Sequence, residues 1–249
     1  LGSAPPEDPT GRFTDRVDDY ARHRPSYPKE LVDLLRDELG LRPEHVVADV
    51  GSGTGILTGI LLANGNRVFA VEPNRAMARA AEEQLGGEAN FHSVDGRAEA
   101  TGLASGQVDF IVVGQAFHWF DVARAREEFR RILKPDGWVA LVWNIRRVDG
   151  GPFLRDYEAF LRQWGTDYKE VSGRYQDEAA MEAFFGPGGY RTRRFDYRQT
   201  FDLSGLRGRL LSSSYTPARD DPRREPMLAA LPELFDRHQV GGKVAFEYD

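Results

Sequence analysis

Short apolar runs rich in β-branched residues alternate with helix-like segments through the middle of the chain. Val46-Val47-Ala48-Asp49-Val50 is the first such run, and residues 56–63 follow with helical character. Asn64-Gly65-Asn66 marks a turn. Residues 67–71 read as a second strand, and Asn74 is placed to cap a helix reaching about Leu85. Residues 91–94, 108–113 and 138–143 read as further strands. The 108–113 run is apolar except for Asp109, as a strand covered on both faces should nearly be. Residues 122–133 read as a helix stopped by Lys134-Pro135-Asp136-Gly137. Strand–helix alternation of this kind predicts βαβ units, hence an α/β fold with a parallel, doubly wound sheet.

The flanks are less regular. Residues 1–12 carry Pro, Gly and Asp without periodicity and read as a disordered arm, not a signal peptide, since no apolar segment follows. Residues 13–38 look mostly helical, broken at Pro25 and Pro28, with Leu31, Leu34 and Leu35 on one stripe. Residues 153–164 look helical, and strands are expected within 190–201 and at 244–248. The expected organisation is one domain over residues 13–249, with 13–40 as an N-terminal helical segment, 45–145 as the core and 146–249 as a C-terminal part.

Composition narrows the chemistry. Hydrophobic residues make up 41% of the 249, enough for a sizeable core, and no run approaches the ~20 apolar residues of a membrane helix. The net charge of −6 disfavours a polyanion partner, because phosphate backbones need a basic footprint. The clusters Arg191, Arg193, Arg194 and Arg207, Arg209 read as a solvated face. There is no cysteine, which removes disulfides, thiolate metal sites and a cysteine nucleophile. His23, His45, His92, His118 and His238 show no pairing at i+3 or i+4, so no metal cluster is expected. A cytoplasmic protein is the default.

Gly51, Gly53 and Gly55 stand between a strand and a helix. Glycine there permits positive φ and close approach of a ligand to the backbone, and a helix start supplies free N–H groups. A dinucleotide fingerprint needs its third glycine three positions after the second, but position 56 is Ile; no Lys follows, which excludes a P-loop. Glu72 ends the second strand, where a carboxylate can accept two hydrogen bonds from ribose hydroxyls. Read as a ligand contact alone, it should matter little to the stability of the free protein.

The segment 47–55 resembles the first motif of class I S-adenosylmethionine-dependent methyltransferases, and Val71-Glu72-Pro73 resembles the second. The resemblance implies a Rossmann-like seven-stranded sheet whose last strand runs antiparallel. It also implies that S-adenosylmethionine is the cofactor, with Asp49, Gly51, Ser52, Gly53, Thr54 and Gly55 against its methionine portion and Glu72 and Pro73 at its ribose. Gly96-Arg97-Ala98-Glu99 resembles the segment of the type 11 methyltransferases that lines the adenine, and many relatives carry Asp where Arg97 stands. The segments 20–28, 115–121, 143–144 and 212–217 resemble the trans-aconitate methyltransferase-like branch. That likeness implies an N-terminal lid carrying Tyr20 and Arg24, the latter toward the methionine carboxylate.

Methyl transfer from a sulfonium is an in-line displacement, for which an enzyme must hold the acceptor and exclude water. Aromatic faces suit a cation. Gln115, Ala116, Phe117, His118, Trp119 and Phe120 follow the fourth strand, where ligands of open parallel sheets bind. Gln115 and Ala116 are expected at the cofactor and Phe117 at the substrate. His118 is a candidate base, with Trp119, Asn144 and Tyr215 as further catalytic candidates. Trp143, Ser212 and Ser214 are candidates for a polar acceptor, a small molecule bearing carboxylate or hydroxyl groups. Three other readings stand beside methyl transfer: intramolecular attack on the cofactor with release of methylthioadenosine, a nicotinamide dehydrogenase, and a cofactor-binding protein without catalysis.

Overall fold

Residues 24–168 and 177–249 are described by the computed structural model. The chain divides into two compact units: within the described residues, one comprises 36–142 and the other 24–35 with 143–249. The arm at 1–12, Tyr20 and most of the expected lid lie outside the described residues. Helix α1 (Lys29–Asp37) spans the chain boundary between the units, with Leu31 and Leu35 buried.

The first unit is built as the hydrophobic pattern requires. β1 (Val46–Val50), β2 (Arg67–Val71), β3 (Phe91–Val94), β4 (Val108–Gly114) and β5 (Leu133–Val142) form one sheet, ordered β3-β2-β1-β4-β5, with every pairing parallel. Val47, Ala48 and Val50 of β1 and Ile111 to Val113 of β4 are at most 1% exposed, which accounts for their unbroken apolar runs. α2 (Ile56–Ala63) packs on β1 and β2, α3 (Arg75–Leu85) on β3, and α4 (Val122–Ile132) on β5. Asn74 caps α3 by accepting from the N–H groups of Ala76 and Met77, and Asp121 caps α4 by accepting from Arg124.

β5 begins earlier than its sequence suggests. Leu133 pairs with Val108, and Trp138 with Phe110, so 134–137 bulge out of the ladder instead of ending it. Lys134 uses the bulge to reach Asp109 at 2.8 Å, and Asp109 also accepts from the Val46 N–H at 2.9 Å. The one polar residue of β4 thus ties three strands at the N-terminal edge of the sheet.

The second unit contains α5 (Pro152–Trp164), α6 (Glu178–Phe185), β6 (Tyr197–Phe201), α7 (Leu203–Leu211), α8 (Arg224–His238) and β7 (Val244–Tyr248). α5 packs on β7 and α8, and α7 on β6 and α8. Phe246 sits at the centre, its ring 4.9 Å from Tyr157 and 5.2 Å from Phe153, both edge to face. The seven-stranded sheet is not formed. β6 and β7 make their own antiparallel pair, and the sheet of the first unit stops at five strands. β7 does pair antiparallel with residues 145–147, through Ile145 N–H to Asp249 O and Arg147 N–H to Glu247 O, both at 2.8 Å. That short ladder lies beyond the end of β5, so it adds no strand to the five.

One buried ionic knot fixes α4 in the first unit. Glu128, 9% exposed, accepts from Thr101 N–H at 2.8 Å and Oγ1 at 2.5 Å, and from Arg131 Nε at 2.7 Å. Hydrogen bonds from Arg131 and Thr101 outweigh desolvation and hold its carboxyl down at about 2. A depressed carboxylate stabilises the fold above its unfolded value and loses that contribution as pH falls through its folded value. Glu128→Gln should therefore cost about 1–3 kcal/mol near neutral pH. Urea titrations at descending pH should show the gap to wild type closing between about 4.5 and about 2; a gap independent of pH would show that packing, not charge, is what the substitution removes.

Candidate functional site

β1 sits centrally and the chain order reverses between it and β4, which makes the carboxyl ends of these two strands the switch point of the sheet. The glycine turn leaves β1 there. Gly51, Gly53 and Gly55 all have positive φ, at 72°, 58° and 82°. A side chain at Gly51 would place its Cβ 2.5 Å from the Cβ of Ala116, in the loop after β4. Gly55 is the N-cap of α2 and offers no side-chain oxygen to the first helical N–H groups. The turn is pinned by Gly51 and Ser52 donating to Val71 O at 2.8 and 3.2 Å. Thr54 is 2% exposed, and its Oγ1 is buried with no hydrogen-bond partner among the described residues.

Two carboxylates bracket this turn. Glu72 accepts from the N–H of Gly53 through Oε2 and from that of Asn74 through Oε1, both at 2.8 Å. It is therefore built into the loop, which corrects the expectation that it bears on ligand alone. Each oxygen accepts one of these bonds and retains a second lone pair. Burial raises its pKa, opposed by those two bonds. Asp49, 1% exposed, accepts from Thr58 Oγ1 at 2.6 Å through Oδ2, and its Oδ1 is buried without a partner. Desolvation pushes its pKa to about 7, with the charge of Glu72 adding in the same direction. Two costly acids beside the start of a helix without a side-chain cap suit a ligand that carries both positive charge and hydroxyls.

The segment after β3 closes on itself: Arg97 and Ala100 exchange N–H···O bonds of 3.1 and 3.0 Å. Ala98 is buried and Arg97 exposed. Glu99 accepts from the Asp121 N–H at 2.8 Å, linking this segment to the loop after β4. Gln115 heads that loop with φ of 59°, a left-handed backbone that no other described non-glycine residue adopts. Such an outlier is retained only where its surroundings hold it, here by its N–H donating to Val142 O at 2.9 Å. Nothing in the residue type announces it. Phe117 is 4% exposed and packs edge to face on Phe120, so its ring serves the core of the loop. His118 and Trp119 are half-buried, their rings 4.6 Å apart.

The remaining candidates belong to the second unit and cluster there. Arg24 Nη2 donates to Ser212 O at 2.9 Å, and Asn144 Nδ2 donates to Ser26 O at 3.0 Å. Ser212 is fully buried and returns its Oγ–H to Arg209 O at 2.7 Å, a local backbone bond. Tyr215 is 8% exposed, its ring 4.9 Å from that of Tyr168. Ser214 and Trp143 are half-buried. Thr58, which fixes Asp49, was missed by sequence reasoning, and Asn74 was read only as a helix cap, not as a donor to Glu72. Thr58 lies nine positions after Asp49, a spacing without a periodic signature.

Similarity to known proteins agrees with this geometry. A family model described as a methyltransferase domain matches residues 48–141, which hold the glycine turn, both acids and the loop after β4. The uncharacterized methyltransferase Rv3342 of Mycobacterium tuberculosis is 42% identical over 137 residues, 54% of this chain and 52% of its own. The chain thus spans about half the length of that relative. The uncharacterized methyltransferase GWCH70_2477 of a Geobacillus strain is 31% identical over 161 residues, 61% of this chain and 71% of its own. A solved structure from Anaeromyxobacter dehalogenans shares the fold, with a TM-score of 0.62 at 23% identity over 90% of this chain and 95% of that one. The chain belongs to the S-adenosylmethionine-dependent methyltransferase family.

Proposed function

We propose that this protein transfers the methyl group of S-adenosylmethionine to a small-molecule acceptor. The observation that carries the reading is the left-handed triple-glycine turn at the switch point, with the Glu72 carboxylate anchored beside it. The residues fit the cofactor: the uncapped first turn of α2 for its amino-acid end, the spare lone pairs of Glu72 for ribose hydroxyls, and buried acid in Asp49 toward positive charge. When bound, the cofactor supplies a methyl group on a positively charged sulfur. The chain's own residues then orient, shield and discriminate. Ala116 lies against the first glycine of the turn, and His118, in the same loop, is the candidate to accept a proton from an acidic acceptor. The net charge of −6 argues for a small molecule over a nucleic acid. The likeness of 20–28, 115–121, 143–144 and 212–217 supports the trans-aconitate methyltransferase-like branch.

The test of the reaction is product analysis. Protein incubated with methyl-labelled cofactor and a metabolite pool should yield adenosylhomocysteine and a labelled acceptor. Methylthioadenosine without labelled acceptor would replace methyl transfer by intramolecular cleavage of the cofactor.

Glu72→Gln should lower adenosylhomocysteine affinity by about tenfold or more, a loss of about 1.4 kcal/mol at least. A moderate drop in the apo thermal midpoint should accompany it, because the amide cannot accept from both Gly53 and Asn74. Calorimetry showing wild-type affinity in the folded variant would remove Glu72 from the cofactor site.

Asp49 makes a separate, pH-resolved case. Its folded pKa lies above its ordinary value of 3.8, so the free protein loses stability as pH rises from there through about 7. Asp49→Asn keeps an acceptor for Thr58 and removes the buried charge. The variant should match wild type below about pH 4 and exceed it by about 2–4 kcal/mol above pH 8. Denaturation curves that run parallel across this range would show that Asp49 carries no penalty in the free protein.

A further inference from the structure

Among the described residues, the second unit buries two guanidiniums, Arg146 and Arg209, against one carboxylate within ion-pair reach of either, Glu158. Arg209 is 6% exposed, and no described carboxylate lies within ion-pair reach of it. Its partners are neutral: Tyr248 Oη accepts from Nε at 3.3 Å and Ser213 Oγ from Nη1 at 3.0 Å. Arg146 has a side chain 9% exposed and pairs through Nη2 with Glu158 at 2.6 Å and Tyr168 Oη at 2.9 Å. Its Nη1 is buried with no hydrogen-bond partner among the described residues.

Glu158 cannot serve both guanidiniums. Its Oε2 already takes Arg146 and Tyr168, and its Oε1 takes Arg162 at 2.9 Å. Aromatic faces soften part of the cost, since Arg146 Cζ lies 5.2 Å from the Tyr157 ring centre and Arg209 Cζ 6.0 Å from that of Phe246. They do not supply charge. Both guanidiniums pull the Tyr215 phenol below its ordinary pKa against the opposing effect of burial, so Tyr215 lies in the field of both. A buried cation with no counter-anion among the described residues is a costly arrangement, which a bound anion would offset.

We propose that Arg146 and Arg209 form an anion-binding site within the second unit, which takes the carboxylate of a small organic acid. A planar carboxylate matches the fork of a guanidinium, and Nη1 of Arg146 is a donor already stripped of water. Ser213 and the phenols of Tyr168, Tyr215 and Tyr248 supply hydroxyls around it. The site uses no residue of the glycine turn, so it stands or falls independently of the methyl-transfer reading.

Calorimetry on the full chain tests it, with sodium benzoate and sodium succinate as probes, benzamide as the neutral control, and ionic strength held with chloride. At least one of the two acids should bind one to one and benzamide should not. Arg209→Gln and Arg146→Gln should each weaken that binding about tenfold or more. Adenosylhomocysteine affinity should stay within about twofold of wild type, which reports on folding and on the cofactor site separately. Arg146→Gln keeps the test usable if Arg209→Gln fails to fold, because Glu158 retains Arg162. Absence of binding by both acids, or undiminished binding in folded Arg146→Gln, overturns the proposal. Preference for inorganic phosphate over both acids overturns the carboxylate class. A tyrosinate absorbance band at neutral pH that vanishes in Tyr215→Phe overturns it as well, since the phenolate would then be the missing counter-anion.

Discussion

The turn after β1 has no room for a side chain at its first residue. The Cβ that any other amino acid would bring to Gly51 falls 2.5 Å from Ala116, and L-residues avoid its φ of 72° in any case. Much of the first unit's functional geometry follows from that restriction. The loop after β4 approaches the turn only because the turn is bare, and Gln115 accepts a left-handed backbone at the point where the approach begins. The turn spends its own N–H groups on bracing itself, Gly51 and Ser52 on Val71 O, Gly55 on Ser52 O and Gly53 on Glu72. Site and switch point coincide because the two central strands, β1 and β4, end side by side.

Elements whose boundaries are set by local chemistry were legible in the chain. β1, α2, β2, β3 and β7 begin and end where the apolar runs and turn residues place them, and Asn74 caps α3 as expected. What was not legible depends on pairing with distant chain. The 134–137 segment reads as a helix stop followed by a turn, yet Lys134 is drawn to Asp109 and the bulge keeps Leu133 in the ladder. The expected seventh strand is present, but its bonds to 145–147 lie past the end of β5, which no local pattern marks. α6, α7 and α8 were not foreseen. α8 carries Pro232 inside it and distributes its apolar residues weakly, its burial being decided by the neighbouring α5 and α7.

The candidate site divides along the same line. Glycine spacing and the acid after β2 announced themselves, because both are fixed by short-range geometry. The role of Glu72 as a brace for Gly53 and Asn74, beside its proposed role as a ligand acceptor, did not. Neither did the isolation of Asp49 Oδ1, which depends on what the fold leaves out around it. Ser212 looked like an acceptor contact but spends its hydroxyl on Arg209 O, a choice that only the helix end of α7 reveals.

Electrostatics give each unit a distinct unpaid balance. The first buries carboxylates whose ionisation is opposed by desolvation, Asp49 most strongly and Glu72 beside it. A bound cation relieves both, because an opposite charge nearby favours the ionised form just where burial disfavours it. Binding of a positively charged ligand near neutral pH is then coupled to release of the proton that Asp49 holds in the free protein, and a neutral analogue is coupled more weakly. The second unit carries the opposite imbalance, with Arg146 and Arg209 facing one carboxylate. A hydrophobic residue of similar size in either place would cost the fold less. The sequence keeps acids under one backbone turn and guanidiniums among tyrosines, so in both proposed sites the imbalance favours a ligand of opposite charge.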